Sequence, residues 1–158
     1  FGCRIEYLRE TKPLGTGGPV GLLDPPPEHA LLVMNGDLVT ECDVGRLLDF
    51  HEEGGHAATF AVRPHSVQIP FGVADVDGDR LLAVREKPTY RMLINAGMYV
   101  LSPAVVGMVE KDRELPITDL FTACIESGLS VGAHVVEQEW ADIGRHDDLS
   151  RARGEGLT

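Results

Sequence analysis

Asp37 closes the tripeptide Asn35-Gly36-Asp37 directly after a continuous apolar run, Ala30 to Met34. A carboxylate in that position can hold a hard cation through oxygen, and open α/β sheets bind ligands at the C-terminal ends of their parallel strands. Gly36 beside it lets the chain pass close to a phosphate or a ribose. An Asp in an ordinary strand-to-helix turn fits the same three residues. Upstream, Leu14-Gly15-Thr16-Gly17-Gly18 offers backbone free of Cβ obstruction that can approach a flat base, although a Gly-rich lead into a helix accounts for it about equally well. Glu10 could accept hydrogen bonds from guanine N1–H and N2–H₂, where a uracil or thymine reader would use an amide. In Glu86-Lys87-Pro88 a cation stands at a strand end stiffened by proline, a place where exposed lysines are common.

Three other arrangements imitate sites. His51-Glu52-Glu53-Gly54-Gly55-His56 resembles a zinc-protease signature, but its histidines are i and i+5 and a Gly pair breaks the helix that would align them. Solvated helix-end residues are the expectation there. Asp75, Asp77, Asp79 and Glu86 mimic a Ca²⁺ loop whose sixth position is Arg80 where the turn needs Gly. The same stretch contains the Asp-x-Asp pattern of metal-dependent glycosyltransferases, which would place Asp75 and Asp77 in a ligand cleft. A polar hairpin tip is the expected reading of both.

The elements that must position these residues can be read from periodicity. Cys3 to Leu8 alternates like a strand, and Pro13 to Leu23 reads as a loop and short helix. Ala30 to Met34 has the composition of a central parallel strand buried on both faces. Val44, Leu47, Leu48 and Phe50 define one face of a helix with Asp43 as its N-cap and Gly54-Gly55 as its stop, and Ala57 to Arg63 returns as a strand. Phe71 to Val76 and Arg80 to Arg85 flank Asp77-Gly78-Asp79, a hairpin signal. Leu93 to Leu101 reads as a strand, and Pro103 opens a short helix. Ile117 to Ser127 forms a helix with Leu120, Phe121, Cys124 and Ile125 on one face, Ser130 to Val136 a strand, and His146 to Arg153 a closing helix.

A length of 158 residues with 43% hydrophobic content suits one domain or part of one. Lys and Arg number 14 against 25 Asp and Glu, a net charge of −11 that repels a nucleic-acid backbone over most of the surface. Small phosphorylated ligands stay within reach, because a cation and a few N–H groups reverse the sign of one cleft. Cys3, Cys42 and Cys124 are an odd number without CxxC spacing, which fits reduced thiols and a cytoplasmic setting. No apolar run approaches a membrane span.

Five motifs follow one another along the chain: Pro13-Leu14-Gly15-Thr16-Gly17-Gly18, Asn35-Gly36-Asp37, Pro70-Phe71-Gly72-Val73, Glu86-Lys87-Pro88 with Asn95-Ala96-Gly97, and Trp140-Ala141-Asp142-Ile143-Gly144. The ordered set resembles the sugar-1-phosphate nucleotidylyltransferases, especially the short mannose- or heptose-1-phosphate guanylyltransferase type and its CBS-linked relatives, over nearly the whole chain. The resemblance implies an α/β, Rossmann-like, mainly parallel sheet flanked by helices, with a β-hairpin insertion forming the sugar side of the cleft. It implies that Asp37 and Asp142 bind Mg²⁺, and that Asp37, Lys87 and Asp142 are catalytic. Glu10, Leu14, Gly15, Thr16 and Gly36 would bind the nucleotide, and Gly72, Glu86, Lys87, Asn95 and Gly97 the sugar phosphate. Trp140 would pack and Gly144 make a turn.

The implied reaction joins a nucleoside triphosphate to a sugar 1-phosphate, with GTP and mannose- or heptose-1-phosphate favoured, and would feed cell-surface polysaccharide. Homo-oligomerisation is left open. The family's Gly-rich loop with its Arg and Lys, which grips the triphosphate, has no counterpart in these residues. Residues 1–158 are therefore read as a single partial domain lacking its first strand-helix units, inactive alone. A non-catalytic sugar-nucleotide-binding regulatory paralogue is the alternative, and retention of Asp37, Lys87 and Asp142 argues against it.

Overall fold

The computed structural model describes residues 2–142. Its centre is a four-stranded sheet ordered β1-β6-β3-β7, built from β1 (Leu31–Met34), β6 (Thr89–Leu101), β3 (Ala58–Gln68) and β7 (Val131–Val135). Strand β6 runs antiparallel to both β1 and β3, whereas β7 is parallel to β3. Three of the four strands thus point one way, with β6 reversed between them. The fold class stands as α/β with a helix-flanked sheet, but the expectation of mainly parallel pairing is corrected, since two of the three ladders are antiparallel. The cause is local. No crossover helix lies between β3 and β6, only residues 69–88, so the chain folds back on itself and must pair antiparallel.

Those intervening residues carry β4 (Val73–Asp77) and β5 (Arg80–Arg85), the expected hairpin, whose turn places Gly78 at φ +55. It is nested at the end of the long β3–β6 ladder, which closes with Gln68 opposite Thr89.

The sheet is covered on both faces. One cluster joins Tyr99 and Leu101 of β6 to Val105, Leu120, Phe121 and Cys124, with Phe121 edge-on to Phe60. The other joins Met98 and Val100 to Leu47, Ala61, Ala96 and Val136. Alternate residues of β6 feed opposite clusters, so β6 is buried on both faces over residues 96–101. The role expected of Ala30 to Met34 belongs to β6 instead. Strand β1 is half-buried, with Met34 exposed, and among the described strands it pairs on one side alone.

Helix α1 (Val44–Glu53) begins where expected, with the Asp43 carboxylate accepting from Arg46 N, and runs into Gly54 and then Gly55 at φ +59. Helix α2 (Pro103–Val106) opens at Pro103, and α3 (Ile117–Glu126) buries Ile117, Leu120, Phe121 and Cys124. Ile125 is 63% exposed rather than part of that face. The alternation of Cys3 to Leu8 forms no strand. Ile5, Tyr7 and Leu8 are exposed and no described strand lies beside them, so the pattern has no ladder to join. A 3₁₀ turn at Gly18–Leu22 matches the short helix foreseen after the Gly-rich loop. The expected helix over His146 to Arg153 lies outside the described residues.

His51 corrects the reading of its hexapeptide as solvated. It is 4% exposed, and its Nδ1 lies 2.9 Å from Thr59 Oγ1, because the ring falls one turn after Leu47 on the buried face of α1. His56 pairs through Nδ1 with Ser130 Oγ at 2.9 Å. Asp75 pairs with Arg85 at 2.9 Å on the exposed hairpin, which leaves the Asp-x-Asp stretch as a polar tip rather than a cleft.

Candidate functional site

The C-terminal end of β1 opens into a cleft of about 490 Å³ lined by Gly15, Thr16, Pro19, Val33, Met34, Asn35, Gly36 and Asp37. Two motifs separated in sequence, the Gly-rich loop and Asn35-Gly36-Asp37, therefore face one space. A Cβ added at Gly36 would meet nothing within 4 Å, so the backbone there is open to a ligand.

The Gly-rich loop has a second role that sequence reasoning underrated. Gly15, at φ +72, would place a Cβ 3.0 Å from Leu115 O, Gly17 one 3.1 Å from the same oxygen, and Gly18 one 2.5 Å from Arg113 O. Gly17 N and Gly18 N donate to Leu115 O at 2.8 and 3.1 Å. The glycines thus satisfy close packing on the segment that leads into α3. Thr16 Oγ1 accepts from Ile117 N at 2.9 Å and caps α3 from outside that helix. Leu14 is buried; its N–H donates to Glu10 Oε2 at 2.8 Å and its carbonyl accepts from Leu115 N at 2.9 Å. One oxygen of Glu10 is accordingly taken by the loop. Gly15 and Thr16 are the loop residues that line the cleft.

Beside Asp37 stands an irregularity in β6. Phe60 pairs with Tyr99 and Val62 with Asn95, so β6 bulges at residues 96–98. Gly97 takes φ +73, and a Cβ there would lie 3.0 Å from both Asn35 Nδ2 and Leu38 Cδ1. Asn95 holds the bulge: its Oδ1 accepts from Gly97 N at 2.8 Å and its Nδ2 donates to Tyr99 Oη at 2.7 Å. Gly97 O accepts from Asn35 N at 2.9 Å, which joins the Asn-Ala-Gly and Asn-Gly-Asp motifs. Burial pushes the Tyr99 hydroxyl above its usual range, so it stays protonated.

Directly after Asp37, β2 (Leu38–Thr40) pairs antiparallel with β8 (Trp140–Asp142), setting Leu38 opposite Asp142 and Thr40 opposite Trp140. The backbone of Asp142 therefore arrives one residue from that of Asp37 along this ladder. Trp140 packs as expected, and its Nε1 donates to Ala96 O at 2.7 Å. Ile143 and Gly144 lie outside the described residues. No set of three or more His, Cys, Asp or Glu side chains gathers for a metal among the described residues. Two carboxylates completed by phosphate oxygens and water suit Mg²⁺, which needs no all-protein cage.

Glu86 and Lys87 occupy the return from the hairpin to β6. Lys87 holds φ +44, a conformation that costs a non-glycine residue about 1–3 kcal/mol, and its N–H donates to Phe71 O at 3.2 Å. A Cβ on Gly72 would stand 3.2 Å from Glu86 Oε2, so these two candidates are neighbours. Among the described residues no hydrogen bond links this pair to the Asp37 cleft; β6 itself runs from one to the other. Sequence reasoning missed the neighbours that join the motifs, Asn35 against Gly97 and Leu115 under the loop, because neither residue type signals its contact. No helix among the described residues is long and apolar enough to cross a membrane.

The chain is 30% identical to the low-salt glycan biosynthesis nucleotidyltransferase Agl11 of Haloferax volcanii, over 96% of this chain and 45% of that protein. It is 31% identical to the mannose-1-phosphate guanylyltransferase of Mycobacterium tuberculosis, over 96% of this chain and 44% of that one. It thus spans less than half the length of these relatives. The fold matches that of HddC from Yersinia pseudotuberculosis with a TM-score of 0.68 at 23% identity, covering 98% of this chain and 68% of that one. Residues 1–156 match the model of the nucleotidyl transferase family, and the chain belongs to that family.

Proposed function

We propose that this chain carries the metal- and sugar-binding part of an enzyme that joins a nucleoside triphosphate to a sugar 1-phosphate and releases pyrophosphate. The observation that carries the reading is the β2–β8 ladder, which brings the backbone of Asp142 beside Asp37 at the mouth of the cleft lined by Gly15 and Thr16. A sugar-phosphate oxygen attacks the α-phosphorus, a new P–O bond forms, and the bond from that phosphorus to the α,β-bridging oxygen breaks. The nucleophile is an anion near neutral pH, so the chain supplies no general base and acts by positioning and charge neutralisation. Asp37 and Asp142 hold Mg²⁺, which when bound offsets phosphate charge and polarises the phosphoryl oxygens.

Lys87, presented by its left-handed backbone, meets the phosphate of the sugar 1-phosphate. Glu86 accepts from sugar hydroxyls, Gly72 admits the ring, and Asn95 and Gly97 shape the floor beside Asn35. Gly15, Thr16 and Gly36 receive the nucleotide. Guanine and mannose 1-phosphate are supported by the Mycobacterium tuberculosis relative, and Glu10, one oxygen of which already accepts from Leu14 N, would read the base with the other.

The test measures pyrophosphate release by the full-length protein across a matrix of nucleoside triphosphates and sugar 1-phosphates. Turnover is expected with GTP and mannose 1-phosphate, falling at least about a hundredfold in Asp37→Asn and Asp142→Asn. Silence with every pair would favour a regulatory binding subunit and overturn the reading.

A further inference from the structure

Over its described residues strand β8 pairs through three positions with the three-residue β2, a ladder that contributes little hold of its own. Its first residue, Trp140, is gripped from two other strands. From β6, Ala96 O accepts the indole N–H at 2.7 Å. From β3, Arg63 lays its guanidinium over the ring, Cζ 4.8 Å from the centroid, and Nη1 donates to the Trp140 carbonyl at 2.9 Å. Among the described residues no carboxylate forms an ion pair with Arg63. Its described contacts are the stack and that one carbonyl. A planar, weakly hydrated guanidinium makes both together more readily than a compact, strongly hydrated ammonium.

We propose that Arg63 is a positioning residue which, by clamping Trp140, sets the register of β8 and so the placement of Asp142 beside Asp37. The inference rests on the metal-binding reading of those two carboxylates. Arg63 touches no substrate; it acts through Trp140. It leans across from β3, where its backbone pairs opposite Ile94, two residues before the Ala96 that holds the other side of the indole. Two strands distant in sequence from β8 thus converge on one of its residues, and the residue two positions further along β8 is Asp142.

The test uses the full-length protein and Mn²⁺ alone, with free Mn²⁺ read from its electron paramagnetic resonance signal and no nucleotide or sugar present. Arg63→Met is expected to raise the Kd for Mn²⁺ about tenfold while its thermal midpoint stays close to wild type, and Arg63→Lys to fall between the two. Amide exchange of residues 140–142 is expected to quicken in the same order. Trp140→Phe, which keeps a ring for Arg63 and removes the bond to Ala96, provides a second route if Arg63→Met does not fold. Unchanged Mn²⁺ affinity in Arg63→Met and Trp140→Phe, with Asp142→Asn weakened, would overturn the positioning role and leave the metal site intact. A rise in KM for the sugar phosphate without any change in Mn²⁺ affinity would make Arg63 a substrate contact and also overturn it. If Asp37→Asn and Asp142→Asn bind Mn²⁺ as wild type does, the metal reading itself fails.

Discussion

Replacing Thr16 by valine separates the two roles of the Gly-rich loop. The valine keeps the shape of the side chain and deletes the oxygen that accepts from Ile117 N, while serine keeps the oxygen and loses a methyl. Capping bonds of this kind contribute about 1 kcal/mol, within a range of about 0.5–2. Ile117 is buried at the first turn of α3, so its N–H has poor access to replacement water and the middle of that range applies. For a chain of this size about 1 kcal/mol corresponds to a fall of roughly 2–4 °C in Tm. With a urea m value near 2 kcal/mol/M, the midpoint falls by about 0.5 M. Urea titration followed by circular dichroism is the assay, with equal m values required across the series. The expected order is wild type, then Thr16→Ser close behind, then Thr16→Val. Because Gly17 N and Gly18 N hold the same segment, the loop stays docked, and nucleotide KM in the full-length protein rises in the valine variant only. If the serine and valine variants unfold together, the cap contributes nothing and the loop's chemistry is entirely toward ligand.

Gly97→Ala forces a Cβ into a left-handed backbone against Asn35 and Leu38, and is expected to cost about 1–2 kcal/mol by urea titration, with lower activity. Lys87→Gly relieves a strained φ and is expected to raise stability by about 1 kcal/mol while activity falls at least about a hundredfold. A loss of stability would mean that Lys87 is not held under strain. His51 is kept neutral chiefly by burial and secondarily by His56, against an opposing pull from Glu52, so its folded pKa lies below the ordinary value near 6.5. Below pH about 6.5 the unfolded chain takes up a proton that the folded chain refuses, so stability falls as pH drops from about 7 toward 5. The slope is bounded by about 1.4 kcal/mol per pH unit for one group, and His51→Gln is expected to flatten it.

Helix α1 was legible because its information is local: the Asp43 cap, the spacing of Leu47 from Val44 and the Gly54-Gly55 stop lie close together along the chain. The hairpin around Gly78 was legible for the same reason. Strand order was not. Leu31–Met34 and Met98–Leu101 are equally apolar runs, and what makes the second one central is the return of the chain through residues 69–88, which periodicity does not report. At the site, Asn35-Gly36-Asp37 and the Gly-rich loop stood out by composition and do share a cleft. Ordinary backbone groups of Arg113 and Leu115 explain the loop's glycines, however, and those lie about a hundred residues downstream. The β2–β8 ladder is too short to show any alternation at all.

That long reach bears on how the chain acquires its cleft. The β3–β6 ladder and its nested hairpin join neighbours in sequence and can close early, at little cost in loop entropy. The contacts that shape the cleft are remote in sequence: Thr16 caps α3 across 101 residues, and Thr40 holds the approach to β8, Glu139 O, across 99. On a ribosome, the hairpin can form while the cleft still lacks one wall, so the newborn chain holds a folded scaffold before it holds a complete cleft. Ligand added during refolding should accordingly leave the first phase unaltered and change only the last.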